Sequence, residues 1–169
     1  TEFSEYVKQN VFDLLGMEKS SFRQPPPDME DSVSKGYTYN YQQGEFEEEG
    51  FEYIPLRSPG SMSATATDMA RFMKAHLNGG VLDGTRILSQ DTTEGMHEAR
   101  FRNHERLNGV GYGFYEGSRG DTRIVLHGGD TIFFHSIMAL FPDEDVGVFV
   151  SYNTSGSSQQ RQDLFDEFT

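Results

Sequence analysis

The sequence predicts an α+β protein, an antiparallel β-sheet meander flanked by helices. Three observations carry that prediction. Two segments of the first half place apolar residues at helical spacing between start and stop signals. From Gly109 the chain breaks into short apolar-rich runs separated by turn residues, and the tail then returns to helical spacing. The 169 residues suit one globular domain and exclude two large ones. Hydrophobic residues at 35% and aromatics at 13% are enough for a core, so the acidity does not imply disorder.

Residues 3–15 read as a first helix, with Phe3, Val7, Val11 and Leu14/Leu15 on its apolar face and Gly16 as its left-handed stop. Pro25-Pro26-Pro27-Asp28 excludes helix and central strand from the polar stretch that follows. Tyr37, Tyr39 and Tyr41 alternate with Gly36, Thr38 and Asn40, which predicts a strand with its rings on one face. Residues 45–54 are expected to return as its partner. The Glu47-Glu48-Glu49 run faces solvent, a calcium site being the weaker alternative.

Thr65 and Asp68 have capping-box spacing ahead of Met69, Phe72, Met73, His76 and Leu77, and Asn78-Gly79-Gly80 closes that helix. Asp83-Gly84 marks a turn, and Ser89 opens a short helix through Met96. The meander strands are expected at 110–115, 123–127, 131–141 and 146–152. Their spacers, Gly117 to Gly120, Gly128-Gly129-Asp130 and Pro142 to Asp145, carry turn chemistry. A Ser/Gly-rich connection from Thr154 to Ser158 leads to a last amphipathic helix bearing Leu164, Phe165 and Phe168. No internal repeat is visible.

Composition excludes several functions. Acids outnumber bases 27 to 14, a formal charge of −13, whereas a nucleic-acid partner requires basic groups to displace counterions from phosphates. No apolar run reaches the length of a membrane span, and no basic-then-apolar signal pattern is present. The absence of cysteine rules out a disulfide scaffold, a thiolate zinc site and a cysteine nucleophile.

Tyr6-Val7 with Val11 to Met17, Pro59 to Phe72, and His127 to Thr131 with Phe134 to Ser136 and Leu140 to Pro142 are three stretches that together resemble the serine β-lactamase-like/penicillin-binding protein family, which holds class C β-lactamases, D-Ala-D-Ala carboxypeptidases and related esterases. Tyr6-Val7 with Val11 to Met17 is similar to the family helix that ends in a "PLGM" phrase, with Asp13-Leu14 where Pro is usual. Pro59 to Phe72 resembles its Gly-rich entry to a "TAxDMARF" helix. His127-Gly128-Gly129-Asp130-Thr131, then Phe134-His135-Ser136 and Leu140-Phe141-Pro142, resembles the strand of the third active-site motif and its successor. The resemblance implies a sheet flanked by helices, an active-site groove between sheet and helical region, and acyl transfer through a serine. It implies no cofactor, and its expected substrates are a D-alanyl peptide, a β-lactam or an ester. An extracytoplasmic location is consistent with it, although nothing in this sequence signals one.

The family also requires a Ser-x-x-Lys and a Tyr-x-Asn or Ser-x-Asn, which precede the first helix seen here. Ser32-Val33-Ser34-Lys35 matches the first but follows a triple proline and is read as a loop. Ser151-Tyr152-Asn153 matches the second but falls after the third motif, and Ser61 and Ser63 lack a neighbouring base. Residues 1–169 are therefore expected to be the C-terminal portion of a catalytic domain, silent without its upstream part. That missing part is one expected partner, and a homo-oligomer formed through uncovered edges is another. A non-catalytic binding or assembly module is the alternative.

By this resemblance His127 is the first member of the third motif. Gly128 stands where a Thr or Ser hydroxyl is common, Gly129 lets a ligand approach the strand, and the Asp130 backbone N–H is half of an oxyanion hole. On residue chemistry alone the same four residues also read as a Gly-rich strand end with a partly buried histidine. A zinc pair of His127 with His135 lacks a third ligand at metal spacing. His135 is expected to be a strand residue with one hydrogen bond, and His76, His97 and His104 to be surface residues.

Four lysines against ten arginines, amid many carboxylates, fit adaptation to high salt, where screening removes self-repulsion. Molar KCl is therefore expected to raise the thermal unfolding midpoint; a midpoint insensitive to salt contradicts that reading.

Overall fold

The computed structural model describes residues 2–168. Helix α1 covers residues 3–15 as an α turn (Phe3–Val7), a π-helical stretch (Lys8–Phe12) and a closing α turn (Asp13–Leu15). Gly16 ends it at φ 64°, where a glycine pays no Cβ penalty. Strands β1 (Tyr37–Asn40) and β2 (Glu45–Glu48) form an antiparallel hairpin. The return strand expected over 45–54 stops at Glu48, which already faces Tyr37, the first residue of β1. Tyr41 falls in the hairpin turn, its ring 5.0 Å from that of Tyr39.

Helix α2 (Ala66–Leu77) starts at Thr65, whose Oγ1 accepts the Asp68 N–H at 3.2 Å. The other half of the expected capping box is absent. The buried Asp68 carboxylate instead accepts from Lys19 N (2.9 Å) and Ser20 Oγ (2.8 Å), which ties the segment after α1 to α2. Asp83 and Gly84, at φ 48° and 81°, turn β3 (Val81–Leu82) into β4 (Thr85–Arg86). Ser89 caps α3 (Gln90–His97) by accepting from Thr92 N.

The second half is the expected meander. Strands β5 (Tyr115–Arg119), β6 (Thr122–Asp130), β7 (His135–Phe141) and β8 (Val146–Tyr152) pair antiparallel in chain order. Three boundaries move, the first being that the strand expected from Thr131 begins only at His135, with residues 131–134 as the connection. Val110 makes only isolated bridges, to Phe101 and Tyr115, and β5 runs from Tyr115 through Gly117 into the 120–121 turn. Gly128-Gly129-Asp130 is strand rather than turn, because pairing with β7 persists to Asp130↔His135. The hairpin closes one residue later, where Thr131 N donates to Phe134 O at 2.9 Å. Helix α4 (Ser158–Phe168) ends the chain's described elements.

Three apolar clusters stack these elements. Met73 of α2 packs with Val125, Met138 and Leu140 on one face of the sheet, and Phe114 joins them. An added Cβ at Gly147 would lie 3.2 Å from Met73 Sδ, so α2 rests directly on β8 there. Phe165 of α4 packs with Ile124, Ile137, Ala139 and Phe141 on the opposite face. Phe12 and Leu15 of α1 close onto Ala75 of α2. The layers are thus α4, sheet, α2 and α1.

The structure corrects the reading of two histidines as surface groups: His76 and His97 are buried. His76 stands one turn from Phe72 on the apolar face of α2, with ring centroids 4.4 Å apart, and it also meets Phe114 at 5.2 Å. The polar atoms satisfy each other, His76 Nδ1 lying 3.0 Å from His97 Nε2. Burial, followed by the neighbouring His97, pushes the His76 pKa down to about 4. Burial, followed by the charge of Arg123, does the same to His97. His104 is exposed, as expected.

Both folded values lie below the ordinary 6.5, so protonation favours the unfolded chain. Their contribution to stability is complete above about pH 6.5 and is lost as pH falls to about 4. Urea unfolding at stepped pH is expected to show this loss, and the H76Q/H97Q double variant a flatter profile across that window. Equal slopes for the two proteins contradict the assignment.

Candidate active site

His127, Gly128, Gly129 and Asp130 are the last four residues of β6, and the register determines what each presents. Alternation along β6 puts His127 and Gly129 on the α2 face with Val125, and Gly128 and Asp130 on the α4 face with Ile124 and Leu126. The α2 face changes character along the strands. Its first row is Val125, Leu140 and Gly147, under Met73; the next is His127, Met138 and Phe149. The last is Gly129, Ser136 and Ser151, which are small and polar. His127 is exposed in this region, its ring 5.6 Å from that of Tyr115. A Cβ added to Gly129 would lie 3.1 Å from Ser136 Oγ, so glycine keeps the row low.

The backbone of these residues has a free side. Strand β5 pairs with β6 only as far as Tyr115↔Leu126, whereas β7 pairs through Asp130. In an antiparallel ladder the hydrogen-bonding residues alternate. The Thr131–Phe134 bond makes Gly129 and His127 the residues that bond to β7. The N–H groups of Gly128 and Asp130 therefore point the other way, past the end of β5. An outward N–H pair of this spacing can pair with an antiparallel extended chain, and either N–H alone can serve as one of the two donors an oxyanion takes.

Behind the strand the Asp130 carboxylate is held firmly. Its Oδ1 accepts from His135 Nδ1 at 2.7 Å and from Arg161 Nη1 at 2.9 Å. Burial raises its pKa, but these hydrogen bonds and the charges of Arg161 and His135 outweigh it and hold the carboxyl below its ordinary value. His135 is the strand residue expected, with a single partner. It lies on the α4 face and His127 on the α2 face, so no zinc pair forms between them.

A sequence model of the Beta-lactamase family matches residues 1–167. The chain belongs to the Beta-lactamase family. No curated protein matches it in sequence. Its fold is similar to that of the octameric penicillin-binding protein homologue from Pyrococcus abyssi, with TM-score 0.74 and 22% identity over 92% of this chain and 34% of that one. The penicillin-binding protein from Bacillus halodurans gives 0.72 and 18% over 100% and 50%. The class C β-lactamase from Rhodobacter sphaeroides gives 0.72 and 16% over 99% and 55%. This Beta-lactamase family chain thus spans between a third and just over half of those structures.

The serine motifs set aside in the sequence have structural duties in this Beta-lactamase family chain. Ser32 ends a 3-10 turn, Glu30–Ser32, and Lys35 pairs with Glu48 at 3.1 Å, so the two do not share a helix. Asn153, after Ser151 at the end of β8, anchors the first hairpin: its Nδ2 donates to Lys35 O and its O accepts from Tyr37 N. Ser61 is buried with Oγ donating to Phe22 O, and Ser63 bridges to Ser21. A cavity of about 1090 Å³ lies elsewhere, walled by His76, His97, Arg102, Glu116 and Arg123, and His127 takes no part in it. Arg161 was not visible as a site residue in the sequence, since its link to Asp130 depends on how α4 docks.

Proposed function

We propose that this chain is the sheet-bearing, C-terminal portion of a serine hydrolase acting by acyl transfer on an amide, β-lactam or ester. The observation that carries the reading is the outward N–H of Asp130, beside an exposed His127, on a strand of a Beta-lactamase family fold. A serine supplied by polypeptide outside these residues attacks the carbonyl carbon and passes its proton to a lysine beside it. The oxygen gains negative charge in the tetrahedral intermediate and is stabilised by Asp130 N–H together with the serine's own N–H. The leaving group departs with a proton, and water then hydrolyses the acyl-serine. His127 contributes a hydrogen bond or positive charge to the substrate or to that proton transfer. Gly129 lets the substrate lie flat along the strand.

Gly128 favours the second reading, a binding or assembly module, because it lacks the hydroxyl that would hold a substrate carboxylate. Space exists for a side chain there: the nearest atoms to an added Cβ are 3.7 Å away. A chromogenic β-lactam and a p-nitrophenyl ester decide the matter. The chain alone is expected to give neither turnover nor covalent label. The complete reading frame is expected to give a burst of product and an acyl adduct on a serine upstream of residue 1. Labelling of Ser32 in the chain alone overturns the fragment reading, and an inert complete protein favours the binding module.

A further inference from the structure

Arg161 reaches from α4 across the back of the candidate site. Its Nη1 lies 2.9 Å from Ser136 O, 2.9 Å from Asp130 Oδ1 and 3.3 Å from Gly129 O. These acceptors belong to adjacent strands at the row just behind the outward N–H groups. The side chain is 12% exposed and that of His135 8%, whereas the Asp130 carboxylate they hold is 51% exposed, so two largely buried donors grip a carboxylate at the surface. Arg161 Nε and His135 Nε2 are buried and have no hydrogen-bond partner among the described residues.

The consequence follows from peptide planarity. The C=O of Gly129 and the N–H of Asp130 belong to one rigid peptide unit and point in opposite directions. The ladder bond to β7 is one restraint on that oxygen, and the Arg161 Nη1 contact at 3.3 Å adds another that bears on the direction of that N–H. Gly129 precedes the unit, and without a Cβ its backbone has wide freedom to rotate the plane. Arg161 supplies a second restraint through the Asp130 side chain. His135 grips the same carboxylate oxygen from β7.

We infer that Arg161 is a positioning residue for acyl transfer, aiming the Asp130 N–H at the developing oxyanion through the Gly129–Asp130 peptide plane. The inference rests on the hydrolase reading above for its catalytic consequence, but not for its structural one. Docking of α4 has other supports, the buried Phe165 and the ion pair of Arg119 with Asp166, so helix attachment and peptide aim are separable.

Two measurements test this. In the chain itself, residual dipolar couplings report the Asp130 N–H direction. That coupling is expected to leave its wild-type value in R161A and to remain near it in D166N, which loosens α4 without touching the peptide. In the complete enzyme, R161A is expected to lose about tenfold or more in kcat, with KM within about twofold, as for a misaimed oxyanion donor. R161K, which keeps a donor and a charge, is expected to recover part of that loss, and D166N to stay within about twofold of wild type. An unchanged Asp130 coupling in R161A, or equal losses in R161A and D166N, overturns the inference. A complete wild-type protein with no activity defeats the hydrolase reading while the coupling still decides whether Arg161 sets the peptide plane.

Discussion

Strand β6 is longer on one side than on the other, and the candidate site depends on that inequality. β7 pairs along it to Asp130, whereas β5 leaves it at Leu126. A strand paired on both sides has no backbone groups to offer a ligand. One paired on a single side offers every second N–H and C=O. Here the offered N–H groups belong to Gly128 and Asp130, and the side chain between the paired and unpaired regions is His127. The position of the β5 terminus therefore leaves a run of small residues with an open backbone edge.

The rest of the fold holds that edge at a fixed place. Apolar rows at the Val125 end of the sheet bind α2 in front and α4 behind, with burial of Met73 or Phe165 contributing about 1.5–3 kcal/mol each. Toward Asp130 the front face changes to Gly129, Ser136 and Ser151, which give a helix nothing apolar to cover. The same face is thus core at one end and open at the other. The half-exposed Asp130 carboxylate, held by the largely buried His135 and Arg161, lies behind the open end, where apolar packing has run out. Polar restraint takes over there from hydrophobic restraint.

Much of the architecture was legible because it is written in local chemistry. Gly16 stops α1, Thr65 starts α2, Asp83-Gly84 turns a hairpin, and Pro142 to Asp145 separates β7 from β8. The misplaced features depend on contacts between distant segments. Gly128-Gly129-Asp130 has the composition of a turn, and only pairing with β7 keeps it extended. His76 carried a signal in its helical spacing from Phe72, but its partner His97 comes from another helix and no local pattern joins them. Asp68 looked like a cap and became a tether, since the chain after α1 brings Lys19 N–H and Ser20 Oγ to its carboxylate. The four residues of the candidate site were visible as a phrase, whereas Arg161, 31 positions from Asp130, was not.

Backbone amide hydrogen exchange, resolved residue by residue by NMR, tests the open edge most directly. The account predicts that Gly128 and Asp130 exchange at least about tenfold faster than His127 and Gly129, which bond to β7. Equal protection of all four amides would mean that both sides of the strand are paired, leaving no edge for a carbonyl to approach.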